Sequence, residues 1–433
     1  MSATTPEELL QADLRARINP EKSRKFQRDR LEASRSILFQ IARDVWPAAG
    51  ENATTISIVG SNGKGSTAWY LSALAEADRK RTGPVGLYSS PHLDHVLERI
   101  RLDRSPIDAA LAWQGMQELR ERVPDYAEWS YFEILTMLAV QLFETQRCPV
   151  RIFEAGLGGR FDATRMAMAD TIVLTRIDLE HTAILGETAH AILKEKLGIL
   201  GPSARRICFG PQAMLERETI LTEIRNLAPG IEIHEWQPES KPADYLQENL
   251  SFARFVWQTL GPAGLPATTV APAPPPGRLH ETRIVRPDGN PLVVWFDVAH
   301  NPASIERSLR DLSARPDFPG FERCEVRVGV LTDRDPQACL AAVQAAGFVA
   351  DRMLVGEVLA TWPPTTPPHP PENAAPGPPD VRWPGPTWPA ADIDWLVVLG
   401  SHRIYNYFVE LTGGREKTDG GLAGQPQAGI HGP

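Results

Sequence analysis

An α/β fold in two unequal domains is predicted by three features of the sequence. β-Branched runs alternate with helical stretches, several of those runs end in glycine or in a polar residue, and one proline-rich break at 271–277 is followed by a fresh start of the same alternation. The expected division is a large domain over 1–272, a smaller one over 273–412, and a disordered glycine-rich tail over 413–433.

Each element has its own warrant. Residues 7–46 are helical in pattern, with Leu31, Ile37, Leu38 and Ile41 among the apolar positions. Thr55 to Val59 reads as a buried strand, and Ser66 or Thr67 then opens a helix whose Ala68, Leu71, Leu74 and Ala75 share one face. Short strands follow at 85–88, 150–154, 171–175, 206–209 and 231–234. Among them lie helices after Ser130-Tyr-Phe-Glu133, which is a capping-box pattern, and over 188–199, and another follows near 243–260. The second domain reads as strands at 292–297, 324–331 (ending near Asp333), 352–356 and 395–399, with helices at 303–313, 336–346 and 403–411. Residues 362–390, crowded with proline, read as an extended surface loop.

Composition narrows the class. The chain has 433 residues, 42% hydrophobic and 23% charged, which is ample for two cores. A net charge of −9 offers no basic footprint for nucleic acid or an anionic membrane, so an anionic substrate must be met by local arginines and lysines. Cys148, Cys208, Cys324 and Cys339 are far apart and lack metal-binding spacing, so buried free thiols in a reducing compartment are expected. The first residues have no basic and apolar leader, and no segment approaches the ~18 apolar residues of a membrane span. A cytoplasmic monomer is the expectation.

Chemistry concentrates first at Gly60-Ser-Asn-Gly-Lys-Gly-Ser-Thr67. Gly60, Gly63 and Gly65 permit backbone angles closed to other residues, and the first N–H groups of the following helix point at the loop together with the positive end of its dipole. Phosphates of a nucleotide fit there, with Lys64 as a mobile cation and the Ser66 hydroxyl placed for magnesium. The spacing departs from the common P-loop, since Ile58 stands where the first glycine belongs and Gly65 separates Lys64 from Ser66.

Other candidates lie at strand ends, the edge where open parallel sheets bind ligands. Glu154 closes one strand ahead of Gly156, Gly158 and Gly159, and is a candidate magnesium ligand. His181 follows another strand and is either a second metal-side group or a loop histidine. Ser90, held extended by Pro91, faces a site or closes a turn with His92 on the surface. Arg99 and Arg101, two apart on an extended chain, share a face and either clamp a carboxylate or are solvated. Spacing alone does not separate a functional Lys194 or Lys196 from a solvated helix face, and Glu133 has the structural role of a cap.

With these residues in place, the chain resembles the folylpolyglutamate synthase/dihydrofolate synthase family, the folate branch of the Mur-ligase superfamily. The blocks that carry the likeness are Gly-Ser-Asn-Gly-Lys-Gly-Ser at 60–66, Leu-Tyr-Ser-Ser-Pro-His at 87–92, Glu-Arg-Ile at 98–100 and Phe-Glu at 132–133. Further on stand Glu-Ala-Gly-Leu-Gly-Gly-Arg-Phe-Asp-Ala-Thr at 154–164, His-Thr at 181–182, Glu-Lys-Leu-Gly-Ile at 195–199, Pro-Gly-Arg at 276–278 and Asp-Val-Ala-His-Asn-Pro-Ala at 297–303.

The resemblance implies an N-terminal P-loop ATPase domain, with a mainly parallel sheet flanked by helices, and a smaller C-terminal Rossmann-like glutamate-ligase domain. It implies a role in folate biosynthesis and one-carbon metabolism. ATP would phosphorylate the carboxylate of a folate or dihydropteroate, and the amine of L-glutamate would displace phosphate from the acyl phosphate, in a cleft whose closure excludes water. By similarity the loop from Gly60 to Thr67 and Lys64 hold phosphates, Ser90 and Glu154 bind one magnesium ion, and His181 helps with a second. Lys196 falls on a position carbamylated in this family, which would make it an anionic ligand beside the metal. Arg278 would reach the ATP phosphates, Asp297 the ribose side, and His300 and Ser401 the incoming glutamate.

Three departures stand out: Asp178 and Glu180 where the family carries glycine and aspartate, Arg165 in place of an asparagine, and the proline-rich 362–390. Two other functions are compatible with the same residues. One is a Mur-type ligase that joins glutamate to another carboxylate; the other is a nucleotide-binding homologue without ligation.

Overall fold

The computed structural model describes residues 5–17, 37–38, 40–46, 53–78, 83–260, 271–330, 335–348, 353–357 and 388–413. Leu31, Asp333, most of the proline-rich stretch and the tail from 414 lie outside the described residues. The chain separates into two compact units, one of residues 1–278 with 301–318, the other of 279–300 with 319–433.

The first unit is built on eight strands: β1 (Thr54–Val59), β2 (Val85–Tyr88), β3 (Ile100–Leu102), β4 (Ser105–Pro106), β5 (Val150–Glu154), β6 (Thr171–Leu174), β7 (Arg206–Phe209) and β8 (Glu232–Glu235). Their order in the sheet is β4-β3-β2-β5-β1-β6-β7-β8. From β2 to β8 every pairing is parallel, while β3 and β4 run antiparallel at one edge. The central parallel strands β1, β5 and β6 are buried on both faces, which is why they read as unbroken apolar or β-branched runs rather than as alternation.

Helices cover both faces. On one, the helix Lys64–Ala77 packs with Tyr245–Thr259 in a core that includes Leu71, Ala253 and Val256. On the other, Ala189–Leu197 and Arg217–Leu227 bury Ile192, Leu193, Ile220 and Ile224. A further cluster joins Leu10 and Leu14 of the helix Pro6–Arg15 to the helices Ala109–Arg122 and Tyr131–Thr145. Ser130 caps the last of these as expected: its hydroxyl accepts from the Glu133 N–H while Glu133 accepts from the Ser130 N–H at 2.8 Å.

The second unit carries β9 (His280–Val285), β10 (Pro291–Asp297), β11 (Cys324–Val330), β12 (Met353–Glu357) and β13 (Trp395–Gly400), in the order β12-β11-β13-β10-β9. All its pairings are parallel except that of β9 with β10. All four cysteines are buried free thiols.

Several details differ from the sequence reading. The glycine-loop helix begins at Lys64, two residues early, because Gly63 takes the left-handed cap (φ +89°). Arg99 does not share an extended chain with Arg101: it ends a 3₁₀ turn, Val96–Arg99, capped by His95, and is buried, while Arg101 lies on β3. The charged strand β9 and the antiparallel edge of β3 and β4 have no counterpart in the expectation.

Candidate active site

Parallel pairing decides what can meet. β2, β5, β1 and β6 point the same way, with Ile58 of β1 opposite Glu154 and Val59 opposite Leu174. Ser90, Glu154, the glycine loop and the segment 175–181 therefore leave the sheet along a single edge.

The loop itself is tightly held. A Cβ on Gly60 would lie 1.9 Å from the Thr175 hydroxyl oxygen, and with φ at +149° no other residue fits there. The Ser61 N–H donates to the Arg176 carbonyl at 2.7 Å, and the Ser61 hydroxyl donates to that of Asp178 at 2.9 Å. Asn62 donates to the Asp178 carboxylate at 2.7 Å and accepts from Asn301 at 3.1 Å. The Asp178 departure thus has a structural meaning: its carboxylate braces the loop. Ser66 and Thr67, in the first turn of the helix, are buried.

Lys64 donates back to the Gly60 and Ser61 carbonyls at 2.8 and 3.2 Å. Lys196, only 1% exposed, donates to the same Gly60 carbonyl at 2.7 Å and pairs with Glu180 at 2.7 Å. Burial pushes the Lys196 ammonium down to about 8, Glu180 opposing that shift and Lys64 adding to it. Burial alone would raise the Glu180 carboxyl, but Lys196 and Lys64 outweigh it and bring the group to about 2.

Glu154 is 5% exposed and accepts from the Ser90 N–H at 3.1 Å. A Cβ on Gly65 would sit 3.3 Å from its Oε1, a tight contact that sets the loop directly against the carboxylate. Burial raises its proton affinity, while Lys64, Arg278 and Arg99 lie near enough to pull it down.

The glycine-rich turn after β5 is organised by Asp162, which accepts from the Gly156, Leu157 and Thr164 N–H groups at 2.9, 3.0 and 2.9 Å. Gly159 packs on the backbone of Lys196, where a Cβ would come within 2.2 Å of that residue's carbonyl oxygen. Arg165, the other departure, donates to the Arg160 and Leu200 carbonyls at 3.0 and 3.3 Å and ties the turn to the end of the same helix. These contacts place the Lys196 ammonium under the loop.

His181 starts the short helix Thr182–Leu185 in a left-handed conformation (φ +44°), its carbonyl accepting from Ile184 and Leu185. Asn249 was not foreseen: its Oδ1 lies 2.8 Å from the position of a Cβ on Gly63, which puts an amide against the nucleotide loop. In the second unit, Asp297 is buried and accepts from the Leu279 and Ala299 N–H groups at 3.0 and 2.9 Å. The His300 Nδ1 lies 2.8 Å from the Val298 carbonyl and donates to it, and Ser401 is buried beside His402.

A carboxylate with serine hydroxyls supplies hard oxygen donors, which suit magnesium. Among the described residues no three His, Cys, Asp or Glu side chains form a metal cage; Glu154, with the Ser90 N–H on its carboxylate and Gly65 against it, offers a hard oxygen donor of the kind magnesium takes. As an ammonium, Lys196 contributes no ligand atom.

No family model matches the chain. A dihydrofolate synthase/folylpolyglutamate synthase of Escherichia coli (strain K12) is 31% identical over 306 residues, which cover 66% of this chain and 69% of that protein. The chain belongs to the folylpolyglutamate synthase/dihydrofolate synthase family. A probable bifunctional folylpolyglutamate synthase/dihydropteroate synthase of Haloferax volcanii is 38% identical over 154 residues, the match spanning 34% of this chain and 18% of that longer protein. Among solved structures, E. coli FolC in complex with ADP superposes with a TM-score of 0.67 at 23% identity, covering 88% of this chain and 93% of that one. A Mycobacterium tuberculosis folylpolyglutamate synthase complexed with ADP and AMPPCP gives 0.62 at 23% identity, covering 88% and 96%. This folylpolyglutamate synthase/dihydrofolate synthase relative therefore has the family's two-sheet α/β fold. Among the described residues no helix is long and apolar enough to cross a membrane.

Proposed function

We propose that this chain is an ATP- and magnesium-dependent ligase that adds L-glutamate to the carboxylate of a folate or dihydropteroate through an acyl phosphate. The observation that carries the reading is the meeting of the glycine loop, Lys64, Glu154 and Lys196 at one edge of the sheet. Phosphoryl transfer needs positioned donors and charge neutralisation rather than covalent help from the protein, and these are the groups gathered here.

In this reading the loop amides and Lys64 hold the phosphates, and Arg278 adds a second cation. Magnesium, held by Ser90 and Glu154, would screen the charge between phosphate and acceptor carboxylate. The acceptor carboxylate oxygen attacks the γ-phosphorus and ADP leaves; the glutamate amine then attacks the acyl carbon, losing a proton as phosphate departs. His181 stands on the metal side, and Lys196 acts there once carbamylated and released from Glu180. Asp297, His300 and Ser401 take the ribose and glutamate roles on family pattern alone. The substrates are small molecules met by a monomer in the cytoplasm, without nucleic acid or membrane.

The test is ADP release coupled to L-glutamate, with dihydropteroate and separately with tetrahydrofolate as acceptor. Turnover that requires all three substrates supports the assignment. Glutamate-dependent turnover only with an unrelated carboxylate would favour another Mur-type ligase, and ATP binding without phosphate release would favour a non-catalytic homologue.

A further inference from the structure

Asn301 is the N-cap of the helix Pro302–Ser313, and its side chain does two things at once. Its Oδ1 accepts from the Ser304 N–H at 2.9 Å, the ordinary capping bond, while its Nδ2 donates to Oδ1 of Asn62 at 3.1 Å. Asn62 in turn donates from Nδ2 to Oδ2 of Asp178 at 2.7 Å. Both ends are fixed. Asn301 and Asp178 are 2% and 4% exposed, and Oδ1 of Asp178 lies 3.4 Å from Nε of Arg176. The helix that delivers Asn301 belongs to the first unit, where Arg307 donates to Glu248 at 2.8 Å and Asp311 accepts from the Tyr245 N–H at 2.8 Å. Those anchors sit on the helix Tyr245–Thr259, which also sets Asn249 against Gly63.

The chain of amides has a direction. A backbone N–H only donates, so the Asn301 oxygen is committed to the Ser304 N–H and its amide nitrogen faces Asn62. Asn62 therefore turns its oxygen towards Asn301 and its nitrogen away, and only an acceptor can stand on the far side. Asp178 stands there. The side chain held in this way lies inside the glycine loop, between Ser61 and Gly63, and the Ser61 and Asn62 N–H groups donate to the Arg176 carbonyl at 2.7 and 3.3 Å. A loop fixed through its backbone and through both ends of one side chain keeps its shape before a phosphate arrives, and a site ordered in advance binds more tightly than one ordered on binding.

We propose that Asn301 and Asp178 are positioning residues for the nucleotide: between them they fix the Asn62 amide and so hold the glycine loop in the form that receives the phosphates. The inference rests on the nucleotide-binding part of the ligase reading and adds to it two side chains, of which Asp178 is a departure from the family pattern.

The test reverses the direction of the chain. Asn301→Asp keeps a capping oxygen but sets a carboxylate against the Asn62 oxygen, and turning Asn62 over only brings that oxygen against Asp178. Titration with a non-hydrolysable ATP analogue and magnesium should show affinity about tenfold weaker, with Tm little changed, since aspartate caps a helix as well as asparagine does. Asp178→Asn alone, whose amide oxygen still accepts, should stay within about threefold. With both substitutions the chain can run the other way, the new carboxylate accepting from Asn62 and Asn62 accepting from the new amide, and affinity should return to within about threefold of the native value. Asn301→Asp with Asp178→Ala removes the same charge without supplying the amide, and should remain at least about threefold weaker than the asparagine double. The acceptor KM should stay within about twofold throughout. Native affinity in Asn301→Asp, a double no tighter than Asn301→Asp alone, or alanine restoring binding as well as asparagine would overturn the inference and leave Asn301 a cap. Should Asn301→Asp not fold, Asn301→Ser decides, because serine caps but does not reach Asn62: it should bind the analogue about fivefold more weakly, and native affinity would overturn the inference. An unsubstituted chain that binds no analogue would overturn the nucleotide reading and this inference with it, whereas analogue binding without glutamate-dependent turnover would overturn the ligase chemistry alone.

Discussion

Lys64 and Lys196 converge on one oxygen: both ammonium groups donate to the Gly60 carbonyl, at 2.8 and 2.7 Å. Two like charges share a buried acceptor, and their repulsion is one reason Lys196 loses its proton more readily than an ordinary lysine. Phosphate oxygens would give Lys64 a better partner than a carbonyl. Lys64→Met is therefore expected to weaken binding of a non-hydrolysable ATP analogue by about tenfold or more, read by equilibrium titration, with the folded state intact. Unchanged affinity would remove Lys64 from the phosphate site.

Glu180 is the counter-ion that makes a buried Lys196 tolerable. Glu180→Gln leaves the ammonium with a neutral amide and the Gly60 carbonyl, and should cost about 3 kcal/mol in urea unfolding, the scale for breaking one half of a buried pair. The pH dependence follows from the sign of the shift. The Glu180 carboxyl sits at about 2 in the folded chain against an ordinary 4.5, so its contribution is complete above about 4.5 and is lost as pH falls towards 2. The variant should lose that part of the acid sensitivity, measurable as a flatter stability profile between those limits.

Carbamylation needs an unprotonated amine, and an ammonium lowered to about 8 is about half neutral at that pH. Stripping carbon dioxide from the buffer should lower turnover, and bicarbonate should restore it. ¹³C-bicarbonate should give a carbamate signal absent from Lys196→Ala, which is expected to lose about 100-fold in rate. A full-rate enzyme in carbon-dioxide-free buffer would exclude the modification.

Much of this architecture is legible in the sequence because parallel strands are buried on both faces and so appear as β-branched runs: β1, β5 and β6 were foreseen to within a residue. β9 was not, since His280-Glu-Thr-Arg at a half-exposed edge has no apolar run to signal it. Arg99 was misplaced because Arg-Ile-Arg alternates like a strand, whereas the His95 and Glu98 caps close a turn through contacts that alternation does not encode. Within the site, the glycine loop and Glu154 announce themselves by position at strand ends. The pairing of Glu180 with Lys196, Asp162 bracing the turn and Asn249 beside Gly63 are made by tertiary contact, and no spacing in the chain reveals them.

Glu154 sets stability against function most plainly. Its carboxyl has a raised proton affinity because burial disfavours the charge, so at neutral pH the ionised form costs the folded state free energy. Glutamine keeps an oxygen to accept the Ser90 N–H and removes that charge. Without added metal, Glu154→Gln should thus be more stable, read as a higher Tm than that of the native chain. With magnesium and an ATP analogue the order should reverse: the native chain gains a metal-dependent rise in Tm, the variant does not, and its turnover falls about 100-fold or more. A structural carboxylate would give the opposite pattern, a loss of metal-free stability with the magnesium response intact, so the two Tm series discriminate between a ligand and a brace without reference to the rate.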